Sequence, residues 1–198
     1  MRISAFLAAV VIAAACSGTD HARNAVVSVD GRVGPLRVDR SKRSDVVHFA
    51  GRPQAERRAR EPGSAPYDAL GYSCSEHERP TSFPLVAGRA PSCGTVFWLD
   101  ARSGRLEDFY TTSRRYSEAH GVRIGMRSRR AERRLRRRLY LGCEEDIHLA
   151  SAKALLTVAF TGGRPHRDRA GGLRVHRARV YALVLHSRLR DAGVFDCL

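Results

Sequence analysis

The apolar positions of this 198-residue chain fall into short groups. The longest run, Ala5–Ala15, comes first, and a small polar stretch, residues 17–30, follows it. Two brief alternating stretches, Leu36-Arg37-Val38 and Val122-Arg123-Ile124, read as short strands. Each leads into a helical pattern. In the first, Val46, Phe49 and Ala50 share one helix face. In the second, Ala131, Leu135 and Leu139 recur every four residues. Ser41 and Ser128 stand where an N-cap hydroxyl would accept a free backbone N–H. Asp45 and Glu132 then fall in the first turns, at the positive end of each helix dipole. Gly51-Arg52-Pro53 predicts the first helix stop. Residues 52–66 predict a further short helix ending at Glu61-Pro62-Gly63, and residues 75–92 a loop. Apolar stretches at 94–100 and 105–113 flank the turn Ala101-Arg102-Ser103-Gly104 and predict a hairpin. Two stronger strands, 154–160 and 178–187, enclose a glycine-rich basic loop at 161–172.

A helix followed by antiparallel strands, twice, predicts an α+β fold rather than alternating βαβ units. The two starts align on Ser41 and Ser128: Ser41-Lys42-Arg43-Ser44-Asp45 against Ser128-Arg129-Arg130-Ala131-Glu132. The expected organisation is two tandem repeats, residues 31–113 and 114–198. Each would be a short helical region packed on an antiparallel sheet.

The opening run changes the picture. Its eleven residues are too few to span a bilayer, which takes about 20. Arg2 in front and Ala13-Ala14-Ala15 behind make it a secretory signal, residues 1–15. The close onto Cys16 resembles a bacterial lipobox. That resemblance implies a diacylglycerol thioether on Cys16, cleavage just before it, and a tether over residues 16–30. The chain would then be held at a cell membrane, facing outside the cytoplasm.

Of the five cysteines, lipidation of Cys16 leaves Cys74, Cys93, Cys143 and Cys197. An even number in an exported chain reads as a disulfide framework. Three pairings are possible; the favoured one is local to each half, Cys74–Cys93 and Cys143–Cys197, one bridge per repeat. There is no Cys-x-x-Cys pair, and the Cys74/His77 spacing stands alone, so neither a metal nor a cofactor is expected. The formal charge of +15 points towards an anionic partner. Yet Lys42 and Lys153 are the only lysines and Asn24 the only asparagine, a bias of GC-rich coding that accounts for much of the arginine. An exported chain meets no chromosomal DNA, so nucleic acid is not the expected partner. Anionic lipid, wall polymer or an acidic protein is.

The segment Gly121-Val122-Arg123-Ile124-Gly125-Met126-Arg127-Ser128-Arg129-Arg130-Ala131-Glu132 resembles the helix-opening motif of the small outer-membrane lipoproteins that assist β-barrel assembly. The helix-then-sheet unit used twice, with a disulfide in each, is similar to the β-lactamase inhibitor protein family. Neither family is catalytic, so the resemblance implies a binding module and leaves its partner open. The candidate surface is the arginine-rich second helix, with Arg129, Arg130, Arg133, Arg134, Arg137 and Arg138. Like charges four apart, such as Arg129/Arg133, cost a few tenths of a kcal/mol each, about the scale a solvated face tolerates. Trp98 is expected in the core, and Tyr110, Thr111 and Thr112 at a strand end. Glu107 and Asp108 are neighbours on one strand, so they point to opposite faces and make a poor acid–base pair; they read as solvated charges. No local pattern of nucleophile, base and acid stands out, and no small-molecule substrate is evident. The expected function is that of a lipid-anchored, extracytoplasmic, non-enzymatic binding protein. The alternatives are a secreted inhibitor of an exported enzyme and a binder of anionic membrane or wall polymer through the arginine helix.

Overall fold

The computed structural model describes residues 24–59, 66–74, 93–139, 146–167, 169, 171 and 173–187. Strands β1 (Ala25–Ser28), β2 (Arg32–Val33) and β3 (Leu36–Arg37) lead into helix α1 (Arg43–Ala50). Strands β4 (Ala55–Ala59), β5 (Tyr67–Cys74), β6 (Cys93–Asp100), β7 (Leu106–Thr111) and β8 (Tyr116–Glu118) follow, then helix α2 (Ser128–Leu135). The described chain ends with β9 (Asp146–Ala150), β10 (Ala154–Thr161), the ribbon β11 (Arg164–Arg167) and β12 (Leu173–His176), and β13 (Arg179–Ser187).

The centre is one seven-stranded sheet in the order β4-β5-β6-β7-β13-β10-β9, antiparallel at every step. Chain segments from before and after α2 therefore share a sheet, joined where β7 pairs β13 with Phe109 opposite Leu185 and Asp108 opposite His186. A smaller sheet, β3-β2-β1-β8, includes the parallel pair β1–β8. Strand β1 takes up the last residues read as tether, and Val27 within it is fully buried. One face of the large sheet packs Phe97, Phe109, Leu156, Leu183 and Leu185 together with Val46 and Phe49 of α1 and Ala131, Leu135 and Leu139 around α2. The opposite face carries Tyr67, Val96, Trp98, Tyr110, Ala182 and Val184, all buried. The fold is α+β, with Trp98 in the core as expected. Tyr110 and Thr111 are buried as well, and Thr112 is half-buried.

Four local expectations are corrected. The N-cap of α1 is Lys42, because Ser41 Oγ is already engaged by the Arg37 N–H at 3.0 Å. Asp45, inside the first turn, accepts the Lys42 N–H at 2.8 Å and caps the helix instead. Ser128 is the first residue of α2 rather than its cap; its N–H reaches the Ala178 carbonyl at 2.8 Å and pins the helix start to the approach of β13. Residues 55–59, read as helical, form β4 on the sheet edge, where pairing with β5 overrides the helical preference of Ala, Glu and Arg. The basic stretch 161–172, read as a loop, supplies β11 of an antiparallel ribbon anchored in the core by Val175. The Gly51 stop is as expected: φ is +86°, and its N–H closes onto the Val47 carbonyl at 2.9 Å.

Cys74 and Cys93 face each other across β5 and β6 and are bridged. That removes Cys74 from any metal site. Cys16, Cys143 and Cys197 lie outside the described residues. The bridge folds over Gly71, where a Cβ would lie 2.6 Å from Cys93 Sγ and 2.8 Å from Cys74 Sγ. Gly71→Val is therefore expected to lose about 2 kcal/mol by overpacking, measured by urea denaturation under oxidising conditions. Reducing both proteins should shrink the difference, since free thiols can turn away. An equal loss in reduced and oxidised protein would contradict this account of Gly71.

Candidate anion-binding surface

Helix α2 is built on its narrow apolar stripe. Ala131 is fully buried and Leu135 nearly so, and Leu139 is buried just beyond the helix end. The Gly125 N–H donates to the Val180 carbonyl at 2.7 Å, and the Val180 N–H to the Met126 carbonyl at 2.9 Å, so the helix entrance is laced to β13. Arg136 turns left-handed (φ +52°) and ends the helix, with its N–H on the Glu132 carbonyl. The Leu139 N–H donates to Glu132 Oε1 at 2.8 Å, which folds residues 136–138 back beside the last turn.

Glu132 has a second partner. Arg174, on β12, donates to the same carboxylate oxygen at 2.7 Å, with both side chains mostly buried. The one acid of the helix is thus held by an arginine from outside it. An open depression of about 460 Å³ forms around this pair, lined by Arg129, Arg133, Arg136, Arg137 and Arg138 with Glu132 and Arg174. Among the described residues, these five helix-side arginines make no ion pair with a carboxylate. A planar guanidinium presents a rigid fork of donors suited to phosphate or carboxylate oxygens, so the depression can hold an anion by several bidentate contacts at once.

Of the six arginines singled out by sequence, Arg129, Arg133, Arg137 and Arg138 line this depression. Arg130 is exposed but outside it. Arg134 does something else: its Nη1 donates to the Gly121 carbonyl at 2.8 Å and the His120 carbonyl at 3.2 Å, clasping the turn after β8. Arg136 and Arg174 were not singled out. Arg136 sits within the visible arginine run and could have been included; Arg174 reaches the site only through the β11–β12 ribbon.

Beside Arg174 lies a second feature. In the ribbon His166 is opposite Arg174 and His176 opposite Arg164. Residues paired across an antiparallel ladder, and those two apart along a strand, share a face. The imidazoles of His166 and His176 stack with ring centroids 3.6 Å apart. Desolvation first, then His166, Arg174 and Arg129, hold the His176 imidazole below its ordinary range, against a smaller opposing pull from Glu132.

The reading of Asp108 as a solvated charge is corrected. It is buried on β7, and Oδ1 meets His186 Nδ1 at 2.9 Å across the β7–β13 seam. Glu107 is half-buried and does not share that bond, as the opposite-face argument requires. One residue along, Ser187 Oγ donates to Asp39, at 2.7 Å from Oδ1 and 2.8 Å from Oδ2. These contacts clamp β13 to β7 and to the chain entering α1. Among the described residues no group of three or more His, Cys, Asp or Glu is placed to hold a metal, and no helix is long and apolar enough to cross a membrane.

Fold and surface together define an α+β chain on an antiparallel sheet, with an open basic depression beside its second helix. No family model and no curated protein matches the chain. Among solved structures it is similar to the crystal structure of the uncharacterised protein YfeY from Escherichia coli, at 11% identity and a TM-score of 0.44, over 81% of this chain and 99% of that one.

Proposed function

We propose that this is a lipid-anchored, extracytoplasmic, non-enzymatic binding protein whose arginine depression receives an anionic partner at the membrane surface. The anchor is Cys16, exposed by removal of residues 1–15. The two-repeat organisation, akin to the assembly lipoproteins and the β-lactamase inhibitor proteins, belongs to the same reading. Two observations support it: α1 precedes the meander β4-β5-β6-β7, and α2 precedes β9-β10-β13. The Cys74–Cys93 bridge supports an oxidising compartment.

The observation that carries the binding surface is the set of five guanidiniums around one depression that, among the described residues, make no ion pair with a carboxylate, its Glu132 being held by Arg174. Codon bias explains arginine in number. It does not explain why the helix's acid is neutralised by Arg174 while its neighbours are left to converge on open space. Anionic phospholipid added to neutral micelles holding the full chain should shift the NMR signals of Arg129, Arg133, Arg137 and Arg138, and zwitterionic phospholipid should not. Shifts spread evenly over all exposed arginines would overturn the assignment.

A further inference from the structure

We propose that the arginine depression and the His166–His176 stack form one site for a group carrying several phosphates, and that its binding places a proton on the stack. This rests on the surface reading above and names the ligand class.

Charge sets the class. Five guanidiniums face the depression, and Glu132 is already compensated by Arg174. A single phosphodiester has one negative charge and would leave most of them unmatched. A cluster of phosphates gives each fork a set of oxygens. The depression, about 460 Å³ and open, is large enough for such a cluster.

Geometry ties the histidines to the same site. The register puts Arg164, His166, Arg174 and His176 on one ribbon face. Arg174 on that face reaches Glu132 of α2, and Arg129 of α2 also acts on His176. Val175, on the other face, is buried in the core and holds the ribbon in place. The charged groups around the stack are therefore Arg164 and Arg174 from the ribbon and Arg129 and Glu132 from the helix. Positive charges outnumber the single carboxylate, so the free site disfavours imidazolium. The lowered His176 value agrees in sign. A histidine with its folded-state value lowered favours folding above its ordinary range, and that advantage is lost as pH falls through the folded value. A bound polyanion reverses the local field. It raises the proton affinity of the stacked His176, and by linkage protons tighten the anion.

The probe is cyclic trimetaphosphate, whose fixed negative charge takes up no proton near neutrality. Calorimetric titration of the full chain in neutral detergent, in buffers of different ionisation enthalpy, should show net proton uptake. Affinity should rise about tenfold from about pH 7.5 to about pH 5.5, the span in which histidine titrates. The variant His166→Asn/His176→Asn should lose both the rise in affinity with falling pH and the proton uptake; proton uptake by the unaltered chain tests the claim even if that variant fails to fold. Two further arms, micelles doped with a lipid bearing two phosphomonoesters and a soluble linear polyphosphate, separate a headgroup from a free phosphate source, and tighter binding of either supports the site. Equal affinity at both pH values without proton uptake would overturn the inference and leave the anion surface standing. No binding of any phosphate probe at either pH would overturn both.

Discussion

Asp108→Ala is expected to cost about 2–4 kcal/mol, the scale of removing a buried carboxylate from its hydrogen-bond partner and leaving a void. Asp108 is 3% exposed and His186 7%, and they meet at 2.9 Å where β7 joins β13. The substitution takes the carboxylate from a buried imidazole and also leaves a small void. It acts at the one seam through which the first four strands of the large sheet pair with the last three. A domain of this size has a total stability of about 5–15 kcal/mol, so the variant should lose a large share of it. Asp108→Asn keeps an oxygen able to meet the ring and should lose less, about 1–2 kcal/mol. Urea denaturation followed by the fluorescence of Trp98, which neighbours Asp108 in the β6–β7 register, reads both variants. A loss below about 1 kcal/mol for Asp108→Ala would mean that the seam is held by its apolar pairs and that the Asp108–His186 hydrogen bond is incidental.

The second large effect concerns the anchor. Cys16→Ser is expected to abolish acylation and the cut before residue 16, because only a thiol forms the thioether that the processing recognises. Intact mass spectrometry of protein from native membranes should then show the parent as the chain from Cys16 plus acyl chains, and the variant as the whole chain without them. Lipid modification contributes about 0.8 kcal/mol per buried CH₂ group, so two or more chains hold a protein at a surface without a spanning helix. A parent chain with an unmodified Cys16 would contradict the lipoprotein reading.

Much of the sheet is legible in the sequence because its strands carry their own signals. The stretch Val96-Phe97-Trp98-Leu99 is apolar throughout, and so is most of 154–160, as suits strands buried on both faces. The stripe Ala131, Leu135, Leu139 also announces its burial, since the surrounding arginines leave nothing else to face the core. β4 is not legible. Its residues Ala-Glu-Arg-Arg-Ala have helical preferences, and only β5 beside it makes a strand. Charged side chains are what a sheet edge tolerates, which the local pattern cannot distinguish from a solvated helix. The site divides in the same way. Arg129 and Arg133 line the depression because positions four apart share a helix face, and Arg137 and Arg138 because the chain folds back beside the last turn. Arg174 lies 42 positions from Glu132, and His186 lies 78 from Asp108. Contacts of that range depend on sheet register, which no single segment encodes. Arg134 stays out of the depression for a related reason: its role is set by the carbonyls of His120 and Gly121, and composition does not show where a backbone turns.

On the proposed function, the depression, rather than the overall charge of the chain, binds anions. The direct test compares two variants of equal net charge for affinity towards anionic micelles across a salt titration. One carries Arg129→Gln, Arg133→Gln, Arg137→Gln and Arg138→Gln. The other carries Arg57→Gln, Arg102→Gln, Arg114→Gln and Arg115→Gln, all exposed and outside the depression. The first should bind about a hundredfold more weakly than the parent at low salt, with a flattened salt dependence, since several charge-assisted contacts are removed together. The second should stay within about threefold of the parent, the scale of exposed, screened charges. Equal losses in the two variants would contradict the claim and return the arginine of this chain to a general surface charge.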